Sequence, residues 1–448
     1  MKTKYENIRR VLFIAYHFPP SASTGAIRPM KFVKYLGDYG WPPVVLTCRD
    51  SFDFGTDRNH DLLKDIPENV VVCRTMTFEP LNILWKRKNR HLSASQIKQA
   101  SGSERRILKS VGFLFLVRMF ILDIMNIPDR YQGWIIFALF RGIGIILKER
   151  ISVIYATTPP PSALVVGYLL SVLTGKPLIV DYRDPWAHAR WARKYYGIFE
   201  YINRAIEKAI LKRARYIISV SDVRSNDLAC EYPNINSKKH VVIHNGYDIA
   251  DNHVRKSTSF NKFTFLHAGT LYNSDGVSEF MNIITDIARK DSEFRRNSSI
   301  VFVGSMPEAK SFEILREMGI AEYRGRIPRG ECFDIMSKAH VLLVFLMNDG
   351  FNKGCIASKI FDYMMLKRPV FAVTPRGETA SLIEKAGIGV SFDPVDREGM
   401  QNEILRLYRQ YSGGALSITP NEEYIKRYDR KELTRKLAML LDKVAENE

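Results

Sequence analysis

The chain is poor in the residues and spacings that define many function classes. Its 448 residues hold only five cysteines, Cys48, Cys73, Cys230, Cys332 and Cys355. The number is odd, the positions are scattered and no C-x-x-C pair occurs. This argues against structural zinc and an obligatory disulfide framework, and for a reducing cytosol. There is no G-x-x-x-x-G-K-[ST] phosphate loop, no H-E-x-x-H and no Asp-x-Asp pair. The last absence weakens any mechanism that holds a nucleotide diphosphate through a carboxylate-bound metal, and no metal ligand or cofactor is expected. Gly142 and Gly144 form a G-x-G inside an apolar helical run with no strand before it, so the dinucleotide fingerprint fails its context and a simple dehydrogenase is disfavoured. The first apolar stretch, VLFIAY (11–16), is too short for a signal-peptide core and reads as a buried strand. No sequence repeat occurs.

What is present is ordinary globular composition, 46 % hydrophobic and 25 % charged, with material for two or three domains. Lysine and arginine number 66 against 48 acids, a net charge of +18 that favours an anionic partner. Nucleotides, phospholipid headgroups and nucleic acid all qualify on charge. Nucleic acid is disfavoured, because the basic residues are dispersed and the aromatics sit within apolar runs.

Short β-branched runs alternate with amphipathic segments. PVVLTC (43–48), VIYAT (153–157), PLIVDY (177–182), YIISVS (216–221) and HVVIHN (240–245) continue the series begun at 11–16. After a polar stretch (247–262) a second series follows: FTFLHAG (263–269), SIVFVGS (299–305), HVLLVFL (340–346) and PVFAVT (369–374). The rhythm predicts two doubly wound α/β domains, 1–250 and 251–420, and a helical terminal segment, 421–448, that packs back on the first. A basic and apolar insert at about 82–150 fits neither series. Its runs at 110–126 and 134–150 are each broken by charge and too short to span a bilayer. The second is expected to pack on the sheet, and the first is the candidate for an anionic membrane surface.

Open α/β sheets bind ligands at the carboxyl ends of their strands. In the first half, HFPPSASTGAIRP (17–29) offers His17 and a close backbone approach at Gly25, and DYRDPWAHA (181–189) crowds Asp181, Arg183, Asp184, Trp186 and His188 at one edge. Asn245 and Gly246 close that half. In the second half, HAGTLYNSDGVSEF (267–280) reads as strand, turn and helix entry, with Gly269 and Thr270 at the turn and Ser274 or Asp275 as the cap. Gly304 leaves room for a planar base, and Arg326 lies in an arginine-rich turn. Ser358 is read as a helix cap, Lys359 as a point charge suited to a diphosphate, and Asp362 as an acceptor for sugar hydroxyls. The plainer alternative makes Lys359 and Asp362 a solvated helix pair.

HFPPSASTGAIRPMKFVKYLGDYGW, DYRDPW, VIHNGYD, HAGTLY, VFVGS, RGRIP and SKIFDYMMLKRPV occur in an order that resembles the family-four-like glycosyltransferases of glycan and polysaccharide biosynthesis. The resemblance implies the GT-B fold, two Rossmann-like domains facing a central cleft. The first takes a glycan or lipid-linked acceptor and the second a nucleotide-sugar donor, with hexosyl or aminohexosyl transfer, retention of anomeric configuration and no metal. It implies donor binding by Gly269, Thr270, Gly304, Arg326, Ser358, Lys359 and Asp362, and acceptor-side chemistry by Asp184, Arg183 and His17. Gly25, Asp181, Trp186, His188, Asn245 and Gly246 would line the substrate. A cytoplasmic protein, peripheral on the inner face of the membrane, is the matching location. Three departures stand out: the first of the family's two donor-site glutamates falls on Gly354 and the second on Asp362, its entry-turn cations fall on Thr270 and Asp275, and its acceptor-side histidine has no counterpart near ATTPPPSA (156–163). Alternatives are a nucleotide-sugar epimerase of the same fold and a non-catalytic nucleotide-sugar or basic binding protein.

Overall fold

A computed structural model describes residues 9–49, 58–79, 124, 126–186, 198–251, 258–272, 275–306 and 310–446. The chain divides into two compact units, one comprising Met1–Val220, Ser225–Ile243 and Thr434–Glu448, the other Ser221–Arg224 and His244–Leu433. The boundary therefore falls at Ile243/His244 rather than at 250, and residues 421–433 stay with the second unit.

In the first unit, β1 (Arg10–Ile14), β2 (Pro43–Cys48), β3 (Val71–Thr75), β4 (Ile151–Thr158), β5 (Leu178–Tyr182), β6 (Tyr216–Ser219) and β7 (His240–Val242) form a seven-stranded sheet in the order β3-β2-β1-β4-β5-β6-β7. Every pairing is parallel. Helices cover the faces of such a sheet, which explains why β1, β2, β4 and β5 are buried almost throughout. The run 134–150 is the helix Trp134–Lys148, which buries Trp134, Ala138, Gly142, Ile145 and Ile146. Gly142 is a packing glycine: a Cβ there would come within 2.5 Å of Leu170 on the neighbouring helix Pro161–Thr174. The run 110–126 lies almost wholly outside the described residues. Among the described residues no helix is long and apolar enough to cross a membrane.

In the second unit, β8 (Phe263–Ala268), β9 (Ser298–Val303), β10 (Ala321–Tyr323), β11 (Val341–Phe345), β12 (Val370–Val373) and β13 (Gly389–Phe392) form a six-stranded parallel sheet, β10-β9-β8-β11-β12-β13. Strand order reverses between β8 and β11 here, and between β1 and β4 in the first sheet. Ligands of doubly wound sheets lie at such switch points.

Candidate functional site

In the first unit the chain leaves β1 into His17, buried at the switch point with its ring edge-on to Tyr16 and Tyr131. Gly25 lies over it, since a Cβ there would sit 3.5 Å from His17 Cδ2. Gly25 belongs to the helix Thr24–Leu36, capped where Ser23 accepts from the Gly25 N–H at 3.2 Å. Pro29 stands inside this helix and has no N–H to give the carbonyl four residues back, that of Gly25. Arg183 Nη1 donates to that carbonyl at 2.8 Å. The helix break thus accounts for the place of Arg183.

Asp181, at the end of β5, is fully buried. It accepts from Arg28 Nε and Nη2, both at 3.0 Å, and from Thr157 Oγ1 at 2.9 Å, while Arg28 Nη2 also donates to the Ile243 carbonyl at 2.9 Å. Burial pushes the carboxyl pKa up, but Arg28 more than offsets this and holds it below the usual range. The carboxylate expected at the substrate therefore anchors the helix Thr24–Leu36 to the sheet. Trp186 is likewise a core residue, its backbone N–H donating to the Tyr182 hydroxyl at 2.8 Å. Tyr182 and Tyr232 both donate to buried Glu207. Asp184 alone of that cluster is exposed, and His188 lies outside the described residues.

Asn245 and Gly246 fall in the second unit. Gly246 is pinned by backbone: a Cβ would come 2.0 Å from the Tyr428 carbonyl, which accepts from the Tyr247 N–H at 3.0 Å. That contact, rather than a ligand, accounts for the glycine.

The carboxyl edge of the second sheet is built from glycines and one lysine. Gly269 follows β8 with φ +111° and donates to the Val303 carbonyl at 2.8 Å. Gly304 follows β9 with φ +121°, and a Cβ there would lie 2.1 Å from the Gly269 carbonyl. Both the left-handed backbone and the missing space require glycine. Thr270 is exposed beside them, with the helix Asp275–Lys290 beginning just beyond. Asp275 is the first residue of that helix, and Ser274 lies outside the described residues.

Lys359 opens the helix Lys359–Leu366 and turns inward: its Nζ lies 3.0 Å from His267 Nε2, and 3.5 Å from where a Cβ on Gly269 would stand. Burial lowers its pKa to about 7, with the Cys332 thiol acting weakly the other way. Ser358 occupies the N-cap position but makes no side-chain capping bond, a correction to its expected role. Asp362 accepts from Arg329 at 3.3 Å, so Lys359 and Asp362 have different partners and the solvated-pair alternative fails. Arg326 is exposed just past β10.

The position of the family's first donor-site glutamate is filled from within. A Cβ on Gly354 would lie 2.8 Å from Val223 and 3.4 Å from the Arg224 guanidinium carbon. Arg224 stacks over Phe351 at 3.9 Å and donates to the Phe351 carbonyl at 2.7 Å. Sequence reading missed Arg28, Arg224 and His267. Only His267 carried a signal, a polar ring next to the carboxyl end of a strand that is apolar apart from Thr264.

The fold is GT-B. Residues 107–251, about a third of the chain, match the Glycosyltransferase Family 4 model. The Anabaena protein HepE, solved in complex with UDP, is similar at 13 % identity and a TM-score of 0.59, covering 97 % of this chain and 100 % of that one. A sucrose-phosphate synthase from Thermosynechococcus elongatus is similar at 13 % identity and 0.61, covering 98 % and 100 %. A putative UDP-N-acetylglucosamine 2-epimerase from Listeria monocytogenes is similar at 12 % and 0.50, covering 98 % and 97 %. No curated protein matches the sequence.

Proposed function

We propose that the chain is a glycosyltransferase that moves a hexosyl or aminohexosyl group from a nucleotide-sugar donor to a glycan or lipid-linked acceptor in surface polysaccharide biosynthesis. Transfer proceeds with retention and without a metal. One observation carries the reading: an amine with no carboxylate partner among the described residues lies beside the left-handed Gly269, against which left-handed Gly304 packs, at the switch point of the second sheet. Backbone N–H groups and a half-buried cation suit a diphosphate, the group on which negative charge grows as the sugar departs. Lys359, the amides around Gly269 and Thr270, and exposed Arg326 would stabilise that charge. Asp362 would take sugar hydroxyls. Asp184, exposed beyond β5, is assigned to the acceptor hydroxyl, so Asp184→Asn lowers kcat and leaves donor affinity unchanged.

The apolar outer face of the helix Trp134–Lys148 supports a lipid-linked acceptor on the inner face of the cell membrane. Ile136, Phe140 and Leu147 are 63 %, 73 % and 74 % exposed, with exposed Arg141 and Lys148 flanking that face. Vesicles containing anionic lipid should sediment the protein, and Phe140→Asp with Leu147→Asp should reduce this; equal sedimentation of both proteins removes the lipid part of the proposal.

The deciding experiment is thermal unfolding with UDP-, GDP-, CMP- and dTDP-sugars. A ligand of the folded state at a hundredfold excess over its Kd stabilises by about 2.7 kcal/mol. No shift with any donor defeats the reading in favour of a binding protein. Epimerisation of the donor sugar with no acceptor present would establish the epimerase instead.

A further inference from the structure

We propose that His267 is a positioning residue for Lys359: its Nε2 accepts a hydrogen bond from the Lys359 amine and keeps it turned under Gly269, so that a bound diphosphate becomes the missing counter-charge and the amine takes up a proton from solvent. The proposal deepens the donor-site reading and rests on it for the identity of the anion.

An amine turned into the protein normally acquires a carboxylate. Among the described residues Lys359 has none; its only polar contact is the ring at 3.0 Å. Its surroundings are otherwise nearly neutral. From the helix Arg329–Lys338 come the Cys332 thiol, which burial pushes up to about 11, and Glu331 near it. Arg329 of that helix is paired with Asp362, one turn along from Lys359. From β8 comes His267, which burial and then Lys359 hold well below the ordinary histidine pKa. A neutral imidazole that accepts at Nε2 carries its proton on Nδ1. It orients the amine without neutralising it, as a carboxylate would. The amine therefore stands near its midpoint at neutral pH, and an arriving dianion favours the ammonium. The balance is Lys–NH2 plus a solvent proton giving Lys–NH3+ paired with the diphosphate. Above the midpoint, affinity then falls about tenfold per pH unit.

Two measurements on the full chain test this. The first follows the rate of amine modification of Lys359 against pH by mass spectrometry, with no ligand present. The wild type should show a midpoint close to 7. His267→Gln, which keeps an acceptor, should stay within about one unit, and His267→Phe, which releases the amine to swing out to solvent, should send the midpoint up toward the ordinary lysine range. A His267→Phe profile that overlays the wild type overturns the positioning role, and so does a wild-type midpoint near 10. The second titrates inorganic pyrophosphate calorimetrically at pH 8 in two buffers of different ionisation enthalpy. Wild type should take up close to one proton, and Lys359→Met distinctly less. Equal uptake by the two overturns the proton-coupled part even if His267→Phe fails to fold. Pyrophosphate that does not bind at all defeats the donor reading and the coupling with it, whereas the modification profile judges His267 independently.

Discussion

The two sheets end in opposite ways. At the carboxyl edge of the first, charge is satisfied internally: Asp181 holds Arg28, and Arg183 serves the carbonyl that Pro29 leaves free. Even the helix Pro161–Thr174, at that sheet's switch point, has its first turn filled by Asp129, which accepts from the Ser162 N–H at 2.6 Å and the Ser162 hydroxyl at 2.7 Å. At the carboxyl edge of the second sheet, the helix Lys359–Leu366 starts without a side-chain cap, and its lysine faces a neutral ring. A cluster of charged residues is therefore a poor guide to a ligand site. Charges that complete one another build scaffold, and a charge left without an opposite sign awaits one.

The contrast is broken most severely in the first unit. Arg28→Met strands a buried carboxylate and should cost about 3–5 kcal/mol, read as a lower denaturant midpoint. The pair also sets an acid limit. Because the folded pKa of Asp181 lies below its unfolded value, its contribution is complete above the ordinary carboxylate range and is lost as pH falls through the folded value. Asp181→Asn should flatten that acid limb, and an unchanged limb would mean that other carboxylates govern it. In the second unit, Gly304→Ala meets both φ +121° and the Gly269 carbonyl at 2.1 Å. Backbone strain alone is worth about 1–3 kcal/mol, and donor affinity should fall with it because Gly269 must shift.

Lys359→Met separates function from stability. Donor affinity should drop roughly a hundredfold, the scale of one preorganised electrostatic contact. Stability should move the opposite way. The folded pKa of Lys359 is lowered to about 7, so the wild type bears the full cost of a buried charge below that pH and sheds it as pH rises toward the ordinary lysine range. The variant is therefore more stable near pH 6, with a Tm higher by about 2–4 °C per kcal/mol, and the gain vanishes at alkaline pH. A destabilised variant at pH 6 would make Lys359 a scaffold residue like Arg28.

The architecture was legible because buried parallel strands read as continuous apolar runs: nine of the ten runs mark strands with most of their length in the core, and the tenth marks the half-buried edge strand β7. The strands that escaped, β3, β10 and β13, stand at sheet edges, as the order of each sheet shows. VVCRT alternates and AEY is short and polar, so neither carries the pattern of a doubly covered strand. Gly269 and Gly304 were legible for a local reason, since each follows its strand directly in the chain. Partnership was not. Arg28 and Asp181 are 153 residues apart, Lys359 and His267 are 92, and the filling of the Gly354 position by Val223 and Arg224 spans more than a hundred. Whether a charge is satisfied depends on residues that only folding brings together.

The smallest effect offers the finest distinction. Ser358→Ala removes a hydroxyl that makes no capping bond, so it should change stability by less than about 0.5 kcal/mol, against the ~1 kcal/mol that a working serine cap contributes. If stability holds while donor affinity falls, the uncapped helix start is reserved for the ligand, and the second sheet's edge differs from the first in its backbone as well as in its lysine. If stability falls by the full cap value, the hydroxyl does cap the helix, and the contrast narrows to the single pair Lys359 and His267.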